Sequence, residues 1–324
     1  MTRIFAGLVL AVSASAAAWA GQSACTVAVT VVNGISPPLP PVNTLRGKNF
    51  ILTPLYGPVG DLPPDAFAAR EKRHSVPIVS VEAVGGPRRI VLVVVGVPAR
   101  ALVVKAILLK ARSEDSFALI TLGGARLALP FGSSRATIRA ALEAPSPPMR
   151  AWPRGNEVLD ALLEAVGLFG SPETGDSIIL FGPLLHASRG RISQARSTLI
   201  GRRIRLFNLG GSGFTMGDSD GLIWKPPLTN LCEQTGGGWE FVGYAGPTAA
   251  DENAWLWQTE SEELYEMATT FYVLGLARTG PRVRIGLSSQ GRDRAPWASV
   301  YYPRPLPVCP PPASGPPRAG QKER

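Results

Sequence analysis

Six consecutive apolar residues, 90–95 (IVLVVV), show no polar alternation. A strand of that kind is buried on both faces, as in a parallel sheet. Around it, apolar runs of two periods alternate along the chain. Residues 116–122, 125–129, 177–181 and 204–209 read as short strands. Between them, residues 100–112 have helical spacing, with Leu102, Ala106 and Leu109 on one face. Residues 133–142 read as a helix with Ser134 as N-cap. Residues 156–169 form another, with Val158, Leu162, Ala165 and Val166 along one stripe, and residues 192–203 a third. Repeated strand–helix units predict an α/β fold on a doubly wound, mostly parallel sheet with right-handed crossovers.

The texture changes on both sides. Residues 25–35 (CTVAVTVVNGI), 49–55 and 76–84 read as strands, and Pro37, Pro38, Pro40 and Pro41 exclude regular structure between the first two. Beyond Gly238, residues 260–270 look helical, and 271–276, 282–287 and 298–302 look like strands. The chain thus divides into a signal peptide at 1–20, an N-terminal β-rich unit at 21–87 and a central domain at 88–240. A helix plus a C-terminal β-rich unit follows at 241–308, and a disordered proline-rich tail at 309–324.

The signal rests on Arg3, the apolar and small residues 4–18, and the Ala18-Trp19-Ala20 cleavage pattern. It predicts an exported protein, periplasmic or extracellular. Acylation of Cys25 is the alternative; Ser23 and Ala24 suit it and Gln22 does not. No later stretch approaches the roughly 20 apolar residues that span a bilayer, so no transmembrane segment is expected after signal removal. The 324 residues are 45% hydrophobic, enough for substantial cores. The net charge of +9 raises nucleic acid as a partner. The positive residues are spread along the chain without interleaved aromatics, and export argues further against that partner. Arg202, Arg203 and Arg205 are the densest cluster, read as a solvated helix end leading into a strand.

The three cysteines are Cys25, Cys232 and Cys309. An oxidising compartment permits one disulfide and one thiol, and the positions of Cys25 and Cys309 near the two ends of the folded part suggest that pair. They are far apart in sequence and form no C-x-x-C, so no metal site is expected from them.

In order, RRIVLVVV, SFALITLGG, ATIRAALEA, GNEVLDALLEAVGLF, GDSIILFG, HASRGRISQARSTLIGRRIRLFNLG and EQTGG resemble the von Willebrand factor A-like (VWA-like) fold. The likeness is greatest to the exported bacterial subgroup called the acidobacterial VWFA-related domain. It covers 88–240 and extends more weakly to VPIVSVE (76–82) and ELYEMATTFYVLGL (263–276). It implies a Rossmann-like doubly wound sheet. It also implies a divalent cation held by D-x-S-x-S at the first strand end, a Thr from a second loop and an Asp from a third. Such a cation wants oxygen ligands in near-octahedral geometry. In this sequence Gly96 stands at the first Asp position, and Pro98 and Arg100 at the Ser positions. Asn156 stands near the Thr position, and Pro183 or its neighbour at the later Asp. The expectation is a degenerate metal site without a cofactor, with Arg100 adding a charge that repels cations.

The remaining chemistry is sparse. His186 follows the IILFG strand on the face where ligands bind, and His74 reads as an exposed loop or strand-edge residue. GGSG at 210–213 follows a strand, but no GKS or GKT follows it, and Pro226-Pro227 disfavours an immediate helix. Asp218 and Asp220 hint at a calcium loop whose other ligands are missing, and remain the fallback cation candidates. Trp239, Trp255, Trp257, Trp297, Tyr301 and Tyr302 suggest core or inter-domain packing. The expected function is an exported, non-enzymatic interaction module whose unidentified protein partner docks on a rim of Arg100, Asn156 and His186. The alternatives are a structural cell-envelope protein, or an envelope hydrolase using His186, Asp218 and Asp220.

Overall fold

The computed structural model describes residues 25–33, 57–84, 87–96, 100, 103–123, 126–145, 153–182, 187–211, 227–242, 250–277 and 279–306. The signal segment, the expected strand at 49–55, His186, Asp218, Asp220, Cys309 and the tail lie outside these residues.

The apolar run at residue 90 is the middle of β6 (Arg89–Val95), and Ile90 to Val95 are each 0% exposed. It lies inside a six-stranded sheet with β7 (Ser116–Leu122), β8 (Leu127–Leu129), β9 (Ser177–Phe181), β10 (Arg205–Gly211) and β11 (Trp239–Val242). The order is β11-β10-β9-β6-β7-β8, parallel throughout except for the β7–β8 hairpin. Period-two side chains feed two cores. Ile90, Leu92 and Val94 join Ile138 and Leu142 of α1 (Arg135–Glu143) and Leu264, Met267 and Ala268 of α5 (Ala250–Thr269). Val91, Val93 and Val95 face the other way. There they meet Leu159 and Leu162 of α2 (Gly155–Leu168), Leu199 of α3 (Arg189–Gly201) and Leu231 of α4 (Pro227–Gln234). Helices on both faces of a mostly parallel sheet are the doubly wound arrangement expected from the sequence. Ser134 caps α1 as expected, its Oγ accepting the Thr137 N–H at 3.1 Å.

Several local expectations change. The segment after β6 is helical, but Val103–Leu108 winds as a π-helix, with the Leu109 N–H reaching the Val104 carbonyl at 3.2 Å. The wider turn carries Leu109 off the buried face that α spacing assigns it, and it stands 62% exposed while Ile107 is 0% exposed. A helix also begins at Pro227, where the double proline reads as a breaker. Pro suits a first helical position, since its missing N–H has no intrahelical acceptor there.

The flanks differ more. β1 (Cys25–Asn33), β5 (Ile78–Val84), β12 (Phe271–Leu276) and β14 (Ala298–Tyr301) form one antiparallel path, β14-β1-β12-β5, with β2 (Gly57–Pro58) on β1. β3 (Phe67–Glu71), β4 (His74–Val76) and β13 (Val283–Leu287) form a second sheet, β13-β3-β4, and the short helix α6 (Ser289–Arg294) follows β13. Strands from before and after the central domain thus pair with one another instead of forming a unit on each side. Residues 76–84, read as one strand, are split by Pro77 between the two sheets. The flank core holds Val29, Phe67, Tyr272, Leu274 and Ile285, with the Tyr272 hydroxyl accepting the Leu62 N–H at 2.7 Å. The division at residue 240 places the 260–270 helix with the C-terminal flank, yet its Leu264 and Met267 belong to the core of the central sheet. Among the described residues no helix is long and apolar enough to cross a membrane.

The π-helix register makes a direct prediction. Ile107→Ala lowers unfolding free energy by about 2–5 kcal/mol, the cost of a core cavity. Leu109→Ala changes it by no more than about 0.5 kcal/mol, as at an ordinary surface site. Urea denaturation of the two variants checks this.

Candidate functional site

In doubly wound sheets ligands bind beyond the carboxyl ends of the strands, where the strand order reverses. Here that point lies between β6 and β9, neighbours from which the chain departs to opposite sides. Gly96 ends β6 with φ +84°, its N–H bonded to the Leu122 carbonyl at 2.9 Å. That left-handed conformation suits glycine and disfavours most side chains. Arg100 lies just beyond and is buried, 5% exposed, instead of standing on an open rim. Val103, Ala106 and Ile107 of the π-helix pack in the core against the sheet. Burial lowers the Arg100 pKa from its ordinary value.

Asn156, in the first turn of α2, is exposed, and its Oδ1 accepts the Ser188 N–H at 3.2 Å. Ser188 in turn caps α3, its Oγ accepting the Arg191 N–H at 3.4 Å. Asn156 therefore ties the start of α2 to the loop leaving β9. Beneath it, Asn208 of β10 is fully buried and donates from Nδ2 to the Leu180 and Gly182 carbonyls at 3.1 and 3.2 Å. His186, the third expected rim residue, and the fallback pair Asp218 and Asp220 lie outside the described residues. Among the described residues no group of His, Cys, Asp and Glu comes together in a way that could hold a metal ion. His74 is exposed on β4. Of the aromatics, Tyr302 is buried and Trp257 packs against the core, whereas Trp297 is 58% exposed.

The densest polar network lies at the opposite pole, at the amino ends of the strands. Arg205, read as part of a solvated helix end, is 0% exposed. Its Nη1 donates to Thr30 Oγ1 at 3.0 Å, and its Nη2 to Ser177 Oγ at 3.0 Å and the Gly175 and Ala268 carbonyls at 3.1 and 2.6 Å. The guanidinium stacks 3.9 Å from the centre of the Phe271 ring. Arg88 lies against the same ring at 4.8 Å. Gly175 makes the stack possible: a Cβ there would come within 2.3 Å of Phe271. Burial pushes the Arg205 pKa down to about 9, and Arg88 adds to the shift. The neighbouring Arg89 makes a two-pronged bond to Asp176, 3.0 and 2.6 Å, and its pKa rises because of that bond. Burial raises the Asp176 carboxyl against the pull of Arg89. Asp115 accepts the Arg88 N–H at 2.9 Å and a short bond from the Tyr265 hydroxyl.

Periodicity does not find this network, because its charged members stand at the edges of apolar runs, where charge reads as exposed. The signal that does is positional. Arg88-Arg89, Asp115-Ser116, Asp176-Ser177 and Arg205 each stand at the start of a parallel strand.

No protein-family model matches the chain, and no curated protein matches it. Several solved structures do. BatB from Bacteroides thetaiotaomicron is 18% identical, covering 56% of this chain and 99% of its own, with a TM-score of 0.36. Proximal thread matrix protein 1 from the mussel byssus, with a zinc-occupied MIDAS motif, is 14% identical, covering 63% and 50%, with a TM-score of 0.39. Manganese-loaded TRAP protein from Plasmodium vivax is 14% identical, covering 71% and 98%, with a TM-score of 0.37. The strand order itself places the central domain in the doubly wound α/β class.

Two predictions follow the buried network. Arg205→Lys destabilises the protein by on the order of 3 kcal/mol, because one ammonium cannot reach all four acceptors or stack on Phe271. Chemical denaturation measures this, and a loss near zero contradicts it. Tyr265 gives a pH dependence. Burial, with the Asp115 contact, raises its hydroxyl pKa from 10.0 to about 12. The folded state therefore keeps a proton that the unfolded state releases. The stability this adds is complete below pH 10 and is lost as pH rises to about 12. The stability advantage of wild type over Tyr265→Phe thus shrinks across that window by on the order of 2 kcal/mol. Paired denaturation curves at stepped pH check it.

Proposed function

We propose that the protein is an exported, non-enzymatic interaction module that presents the carboxyl-end rim of its doubly wound sheet to a protein partner. The observation that carries this reading is the switch point between β6 and β9. Arg100, Asn156 and the Ser188 loop all border it. Arg100 lies beneath the rim, so its charge acts from below and favours an acidic partner group without forming the outer surface. His186 completes the proposed rim.

The reading takes the site as one that has lost its usual metal chemistry. Gly96 and Arg100 supply no oxygen ligand, and a buried guanidinium beside the strand end opposes a divalent cation. Export is supported by the apolar leader after Arg3 and by the disulfide at Cys25, a bond that persists in oxidising compartments. That bond speaks against acylation of Cys25. Cys232 is a buried free thiol, which supports the pairing of Cys25 with Cys309. A second reading, a structural envelope protein, is favoured by the strands that the two flanks share.

One experiment separates the readings. The secreted chain is immobilised and exposed to cell-envelope extract, beside an Asn156→Arg variant of equal melting temperature. A specific partner held by wild type, lost by the variant and retained in EDTA is the expected result. Capture by both proteins overturns the rim. Loss in EDTA overturns the metal-free site. Repeated failure to capture any specific partner favours the structural role.

A further inference from the structure

β5 (Ile78–Val84) ends the path β14-β1-β12-β5, so β12 pairs with one of its edges and no described strand pairs with the other. Soluble proteins usually blunt such an edge with proline, lysine, a bulge or extreme shortness. Here those devices stop at the first residues. Pro77 precedes the strand, and its one register irregularity lies opposite Gly275 and Leu276. From Ser80 to Val84 the ladder is regular, and the sequence Ser-Val-Glu-Ala-Val contains no proline or lysine. Ser80, Glu82 and Ala83 are exposed.

We propose that this edge pairs with the same edge of a second copy of the chain, antiparallel, about a two-fold axis through Val81. In that register the regular part of the ladder is self-complementary, with Val81 facing Val81 on the axis. Ser80 faces Glu82 at two symmetric places, where a hydroxyl can donate to the carboxylate. An axis through Glu82 would set two carboxylates directly opposite, and an axis through Ser80 would set Val81 against the bulged Val79. Pairing at Val81 joins the two flank sheets into one continuous sheet and pairs edge amides and carbonyls of the regular part of each strand. It leaves the rim between β6 and β9 untouched.

The test is the mass of the full secreted chain over a wide concentration range, by sedimentation or light scattering. A monomer–dimer equilibrium is expected. Ser80→Glu places like charges opposite each other twice per dimer and weakens the dimer about tenfold. Ser80→Lys places opposite charges there and tightens it by a similar factor. Ser80→Glu with Glu82→Lys again sets opposite charges facing each other, so it reverses the weakening and tightens the dimer as Ser80→Lys does. Position 80 is exposed, so every variant keeps the wild-type circular dichroism and melting temperature. A chain that is monomeric throughout overturns the proposal and leaves the edge to a strand of a different protein. A dimer whose dissociation constant moves in the same direction in both single variants, or in neither, also overturns it.

Discussion

The structure depends on a buried positive charge placed where the chain enters and leaves its central domain. The Arg205 guanidinium touches Thr30 of the first strand, Ser177 and Gly175 at the start of β9, and Ala268 at the end of α5. These groups come from both flanks and from the middle of the chain. Taking a guanidinium out of water costs several kcal/mol unless its donors are satisfied. The four acceptors and the Phe271 ring offset that cost only when all the segments are in place. Losing any one segment leaves more of the buried charge unpaired, so the network makes the union of flanks and sheet cooperative.

The same geometry explains why strands from distant parts of the chain share a sheet. Arg88 stands just before β6 and Phe271 opens β12, and the two are in contact at the amino ends of the sheet. The chain thus enters and leaves the central domain at one pole. Strands arriving and departing there are brought side by side, and β1 pairs with β12 from Cys25–Leu276 to Val29–Tyr272. The flanking β-rich layer is in this sense a consequence of the insertion of the doubly wound domain between its halves.

The central fold was legible in the sequence because its signals are local. Ile90 to Val95 had to be a strand buried on both faces, and Ser134, Val158 and Leu162 marked their helices by spacing alone. Three kinds of information were not local. Which strand of one flank pairs with which of the other depends on contacts far apart in the chain, such as Phe271 with Val84 and Cys25 with Leu276, for which neither period nor turn carries a sign. The π-helix at Val103–Leu108 depends on how the segment seats on the sheet, so α spacing put Leu109 on the wrong side. Arg205 looked like a surface residue because charge predicts exposure on average. Its burial rests on four acceptors supplied by three other segments. Of the rim, the identities at Gly96, Arg100 and Asn156 were readable, but the depth of Arg100 was not.

The two poles of the sheet then divide the work. Seven residues of β6 at about 3.3 Å each set the amino-end network and the carboxyl-end rim roughly 20 Å apart. Structural polar groups concentrate at the first pole, where each has named partners and a mutation is felt as lost stability. At the second pole stand a left-handed glycine, the buried Arg100 and Asn208, and Asn156, which ties α2 to the start of α3. A substitution at exposed Asn156 therefore lies far from the Arg205 network and leaves the joined flanks undisturbed.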